Sequence, residues 1–332
     1  TGLNFARIEA LNGDQYITGS ANITLNGGAS GGSAGNGNFA DIRQRNAARL
    51  QSISAGNLTL QGGAAGVDNG AGVNATGNQT VVADGITLTG GFAGTGNLTQ
   101  LFAGASQAIT VAAGGLSLFG GSGGPSDVKN FASVFQGGLT GTSQTITVAG
   151  GGNLTVQAGN SAGTNVGTDN GSQAYITNQG DSQLIEFTGT GSAISVTAGS
   201  VGSLNTAGIV ARNGTQTIRG SIAAHDPTIS LTGGSDGVAG EANGVNIGAN
   251  TLLQTISAKS VTLDGGSGID SFATIVARNQ AISIDGNLGI SGGSGTGTSP
   301  GARIGGIGGA GGSNAVLGLT VTGNITLAAG SS

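Results

Sequence analysis

Residues 254–266 read QTISAKSVTLDGG, and the same unit recurs along the whole chain: a glutamine, an apolar residue two positions later, a spacer, two apolar residues flanking one hydroxyl residue, then glycine. Copies begin at Gln15, Gln51, Gln79, Gln107, Gln144, Gln183, Gln216, Gln254 and Gln280. A tenth begins at Leu317, where leucine stands in place of the glutamine. Neighbouring starts lie between 26 residues (254 to 280) and 39 residues (144 to 183) apart. A fixed unit of this length, separated by insertions of variable size, marks a solenoid whose units contact only their neighbours. The period-two alternation inside each unit makes its segments strands with one side inward. The expectation is an all-β chain, residues 1–332 forming a single parallel β-helix of about ten three-stranded coils with no significant helix.

The inward positions follow from the alternation. The strand before the glycines offers pairs such as Leu58 and Leu60, Ile86 and Leu88, and Val261 and Leu263, while the glutamine strand adds Ile53, Ile109, Ile256 and their equivalents. Stacked in register, these residues form aliphatic columns, each fully buried side chain contributing roughly 1.5–3 kcal/mol. The glutamines share the parity of the inward isoleucines. Nine of them in register predict an amide ladder at the edge of the core, because a buried amide without a partner costs kilocalories. Outward, between the paired apolar residues, fall Thr24, Thr59, Thr87, Ser117, Thr155, Ser195, Ser230, Thr262 and Thr326, a hydroxyl column on one exposed face. A third, less regular strand is expected in each coil, over residues 38–44, 129–136, 173–177, 207–213, 243–248 and 271–279, with 3–9 as the closing strand of an incomplete first coil. Residues 46–52 come nearest to a helical period and are not read as a helix.

Composition matters for two arguments. Glycine supplies 71 of 332 residues, and the glycines after each strand are expected at corners that need positive φ or close backbone approach. The longer segments 120–129 and 158–172 are expected to be protruding loops. Charged residues are 8% of the chain and the net charge is −5, so there is no basic stripe for nucleic acid. No run of 18 apolar residues exists, so no membrane insertion is expected. No signal-like segment opens the sequence, so any export signal is expected to have been removed or to lie outside these residues. Cysteine is absent, which removes disulfides and thiolate sites and suits a chain exported before it folds.

Candidate chemistry is thin. His225 stands alone in an AAHDPT insertion and reads as a surface-loop residue. GIGGAG at 306–311 fits a dinucleotide-binding pattern by letter but is followed by a strand-like stretch rather than a helix. GGSGIDSFA at 265–273 matches a calcium nonapeptide in one copy, where such sites need tandem copies. The acids are scattered, tryptophan is absent and tyrosine occurs at Tyr16 and Tyr175 only. The chain is therefore read as no enzyme, with no cofactor and no metal. Asp264 and Asp285 are the pair of carboxylates that could approach each other on neighbouring coils. Asn-x-Thr recurs at Asn22, Asn57, Asn97, Asn153 and Asn324, which a turn asparagine followed by an inward residue and an outward threonine explains.

The repeats QTISAGNLTLQGGAAG and QTITVAGGGNLTVQAGNSAG resemble the passenger repeats of filamentous-haemagglutinin-like exoproteins, which Gram-negative bacteria secrete by two-partner or autotransporter routes. The resemblance runs over essentially the whole chain, although no counterpart of that family's N-terminal secretion domain is present. It implies a right-handed β-helix outside the cell or on its surface, serving as adhesin stalk or fibre, with surface glycans of host or neighbouring cells as possible partners. Neither end of the sequence shows an obvious cap. The expectation is either a slice of a longer rod or a subunit that binds itself head to tail along the solenoid axis. The outward hydroxyl column offers an alternative, an ice- or surface-binding solenoid, and a polysaccharide-active β-helix is the remaining one.

Overall fold

Alternating aliphatic and polar residues on short strands, each ended by glycine, fold into stacked coils of a parallel β-helix. The computed structural model describes residues 4–123, 129–161, 171–236, 243–295, 297, 301–306 and 315–331. Three stacks of parallel strands run side by side. The glutamine face extends from Gln15–Thr18 to Val316–Val321. The paired-aliphatic face extends from Ile23–Asn26 to Ile325–Ala328, and the third face from Phe5–Ala10 to Gly301–Gly305.

Register is maintained along all three. Gln15 lies over Gln51, Gln51 over Gln79, and Leu60 over Leu88. Where the spacer between faces is short, one strand bends round the corner, with a register shift there between Ala83 and Gly85 and between Ala249 and Leu253. Leu50–Gln61, Asn78–Thr89 and Gln107–Phe119 each serve the glutamine and paired-aliphatic faces. Gly244–Ala258 and Phe272–Ile284 serve the third and glutamine faces. These bent strands join the three faces into one 25-stranded sheet. Ten coils at about 4.8 Å each make a rod about 48 Å long.

The core consists of the expected columns. Leu58, Leu60, Leu118, Ile146, Leu154, Ile218 and Leu263 are fully buried in a single cluster that runs the length of the rod. The third face, irregular in sequence, contributes Ile42, Val73, Leu101, Val134, Ile176, Ile209, Ile247 and Ile275, flanked by alanines such as Ala71, Ala132 and Ala174. The expected third strands are observed as Phe39–Gln44, Ala132–Gln136, Ala174–Asn178 and Ala207–Ala211, and within the two long bent strands. The closing strand expected over 3–9 is Phe5–Ala10.

The glycine pairs act differently from a turn that needs positive φ. At Gly62–Gly63 and Gly90–Gly91 the backbone is ordinary, and the first glycine continues the ladder, Gly62 N–H donating to Thr89 O at 2.8 Å. The second glycine makes room. A Cβ on Gly63 or Gly91 would run into the Cβ of Asn69 or Asn97 in its own coil, and close backbone approach is what glycine permits. In the pairs that end the paired-aliphatic strand the second glycine takes a positive φ only farther along, at Gly266 and Gly293, whereas at the corner before that strand Gly115, Gly150 and Gly151 have positive φ.

Residues 46–52 form a turn followed by the start of Leu50–Gln61, as read from the sequence. A three-residue 3-10 turn, Ala223–His225, is the single helical segment among the described residues. The expected loops begin at their expected places, and two of them stack on one another through the short ladder of Ser122–Gly123 with Asn160–Ser161. Residues 124–128 and 162–170 of these loops, and most of the GIGGAG motif, lie outside the described residues.

Candidate assembly surface and the ladders behind it

The glutamine ladder forms as a continuous chain. Nε2 of each glutamine donates to Oε1 of the glutamine one coil earlier: Gln51 to Gln15, Gln79 to Gln51, Gln107 to Gln79 and Gln144 to Gln107, each at 2.8 Å. It continues from Gln183 to Gln144 (2.7 Å), Gln216 to Gln183 (2.7 Å), Gln254 to Gln216 (2.6 Å) and Gln280 to Gln254 (2.7 Å). All nine are buried. The second amide hydrogen turns to a carbonyl of the third face, as from Gln79 to Val73 O at 3.1 Å and Gln216 to Ile209 O at 3.2 Å. From Gln51 to Gln254 each amide both donates to the glutamine before it and accepts from the one after it, the kind of pairing a dry core demands. Leu317 ends the series. It occupies the tenth rung over Gln280, and Gln280 Oε1 is left buried with no hydrogen-bond partner.

A second ladder, not anticipated from the sequence, runs down the corner where the paired-aliphatic face meets the third face. The backbone N–H of Asn38 donates to Oδ1 of Asn69 (2.8 Å), that of Asn69 to Asn97 (2.8 Å), and that of Asn97 to Asn130 (2.9 Å). It resumes with Ser172 to Asn205 (2.7 Å) and Asn205 to Asn243 (2.8 Å). The signal was present: an asparagine stands one or two residues before seven of the third strands, at Asn4, Asn38, Asn69, Asn97, Asn130, Asn205 and Asn243. Ser172 and Ser271 hold the same place with a shorter side chain, and their hydroxyls are buried without partners. The corner also changes the reading of one Asn-x-Thr motif. Asn97 belongs to this ladder, and Thr99 points inward, fully buried, so it is not an outward threonine like Thr59 after Asn57.

The hydroxyl column stands where it was placed. Thr24, Thr59, Thr87, Ser117, Thr155, Ser195, Ser230 and Thr262 follow one another in register, Gly289 interrupts, and Thr326 completes the column. None is buried. Hydroxyls are not confined to this face, however. Ser52, Thr80, Thr145, Thr217 and Thr255 share an outward column on the glutamine face. Threonine and serine on exposed strand positions satisfy β propensity and pair across strands wherever they occur.

The axial edges differ from everything between them. On the last coil, Leu319, Ile325 and Leu327 are 38%, 56% and 71% exposed, although their columns are fully buried farther in. On the first, Phe5 and Ile8 are exposed, and Ile17, Ile23 and Leu25 are only partly covered. The first edge also carries charge: Arg7 Nε donates to Asp41 Oδ1 at 2.7 Å, and Arg45 Nε lies 2.6 Å from Glu9 Oε1. The hydrogen bond to Asp41 raises the pKa of Arg7 above its ordinary value.

The remaining sequence candidates are not brought together. Asp264 and Asp285 sit at opposite ends of the paired-aliphatic strand. Asp264 Oδ1 accepts from Gly266 N–H at 2.9 Å, and Asp285 Oδ2 pairs with Lys259 Nζ at 2.7 Å. The lysine hydrogen bond holds the exposed Asp285 carboxyl below its usual range, so any contribution of this pair is present at neutral pH and is lost as pH falls through that lowered value. His225 Nδ1 is 2.9 Å from Ser221 Oγ within its own insertion. Among the described residues no three His, Asp or Glu side chains gather where they could hold a metal ion, and no helix is long and apolar enough to cross a membrane. No protein-family model, curated protein or solved structure matches the chain.

Proposed function

We propose that this chain is a structural solenoid, subunit or segment of a bacterial surface filament or adhesin fibre, working outside the cell and extended along its axis by contact between coil edges. The observation that carries this reading is the match between the two edges. The first and last strands of each face lie in the same columns. A second rod placed end to end sets Ile8 over Ile304, Ile17 over Leu319, and Ile23 and Leu25 over Ile325 and Leu327. Each face then gains one parallel ladder, and the exposed aliphatic tips enter a continued core. Unpaired strand edges of this kind are templates for further strands, and the contact is heterologous, so it propagates rather than closes. The secreted-fibre setting is supported by the resemblance of the repeats.

Electron microscopy of purified residues 1–332 tests the axial contact. Linear particles growing in multiples of about 48 Å with concentration are expected. Leu319→Lys combined with Leu327→Lys places charge on the exposed edge alone and should yield single short rods. Wild-type material that remains as single rods at high concentration overturns the reading.

A further inference from the structure

The third face carries a side cleft that none of the axial reasoning uses. Its floor is the strand Gly70–Ala75, whose outward positions lining the cleft are Gly72 and Asn74, while the ring of Phe39 lies over Gly70. The missing side chain of Gly72 leaves a slot between two bulky rows, Phe39, Asp41 and Arg43 on one side and Leu98, Gln100 and Phe102 on the other. The rows stand two strand spacings apart, about 9.6 Å, and the cavity holds about 560 Å³. Phe102 packs on Phe135 with ring centroids 5.7 Å apart, which presents a fixed aromatic wall.

The polar groups of the slot are sorted by charge. Asp41 is neutralised by both nitrogens of Arg7, at 2.7 and 3.0 Å. Arg43 also lines the slot and has no acidic partner among the described residues. Gln44 lines it as well, and its Oε1 is buried with no hydrogen-bond partner. A second hollow of about 340 Å³ adjoins the first, sharing Gln100 and Phe135, and carries Tyr175 and the likewise unpaired Arg212.

We propose that this groove binds a carboxylated glycan chain, a polyuronate, running along the rod axis. Aromatic walls receive the apolar faces of sugar rings. The side-chain amides of Gln100 and Asn74 meet hydroxyls, and the two unpaired guanidinium groups hold carboxylates through charge-assisted bonds. The groove lies on the side of the rod and does not depend on the axial contact.

Isothermal titration of residues 1–332 with an oligogalacturonate, and with the same oligomer after reduction of its carboxyls to alcohols, tests this. Saturable binding of the uronate is expected, weakened about tenfold or more in Arg43→Gln and similarly for the reduced oligomer. Gly72→Val fills the slot at a site where the added carbon meets only the end of the Asn74 amide, and binding should be lost while the circular-dichroism spectrum and melting are retained. Phe102→Ala should weaken both oligomers. No binding of the uronate by the wild type, equal binding of the reduced oligomer, or undiminished binding by a folded Gly72→Val protein overturns the proposal.

Discussion

The middle coils and the outermost coils are built from the same repeat, and they end in opposite conditions. Leu118 is fully buried and Leu327 is 71% exposed, yet each is the second aliphatic of its pair in the same stacked column. The difference teaches that burial in a solenoid belongs to the neighbour above, and not to the repeat. The same holds for polar groups. Gln144 is satisfied because Gln107 and Gln183 flank it, whereas Gln280 has a glutamine on one side and Leu317 on the other.

The largest effect that should break this contrast is Gln144→Leu. It orphans Oε1 of Gln107 and an N–H of Gln183 inside the core, at about 1–3 kcal/mol for each group, read as a drop in the urea midpoint. Next comes the matched pair Leu118→Ala and Leu327→Ala. The interior change should cost about 2–5 kcal/mol, and the edge change less than about 0.5 kcal/mol in dilute protein. Equal costs would mean that the outermost coil is already covered. The smallest change sharpens the contrast from the other side. Leu317→Gln supplies the missing donor to Gln280 Oε1 and should raise stability by about 0.5–1.5 kcal/mol in the same denaturation measurement.

Two of the three faces were legible in the sequence because large aliphatic residues alternate on them with hydroxyls, and the pattern survives insertions of any length between units. The glutamine ladder was legible for a related reason: one polar residue shared the parity of the core. The third face was legible as a less regular strand in most coils, but Gly70–Ala75 and Thr99–Ala103 were missed, and size is the reason. Its inward row alternates one large residue with alanine, as in Ala40 and Ile42 or Ala174 and Ile176, so it lacks a conspicuous pair. The asparagine corner escaped because asparagine before a strand reads as an ordinary turn residue. Its meaning lies in the neighbouring coil, where the next asparagine accepts its N–H, and in the second glycine of its own coil, which leaves it space. The second glycine was correctly assigned to a corner, and of the two expected causes, positive φ or close approach, the early coils use close approach, leaving clearance for that asparagine. The side cleft could not be read at all without register, since Gly72 becomes a floor only when Asp41 and Gln100 are known to flank it. Asp264 and Asp285 were wrongly paired for the converse reason: closeness in sequence hid the full strand that separates them.

The column of amides has one more property. Every Nε2 reaches back toward the first coil and every Oε1 forward toward the last, so the interior dipoles add instead of cancelling. The rod therefore carries a built-in arrow, with amide hydrogen at the Gln15 tip and a bare lone pair at the Gln280 tip. Two rods brought together by their Gln280 tips would set oxygen against oxygen across the leucine layer, so a polymer made of them has every reason to keep all its arrows pointing one way.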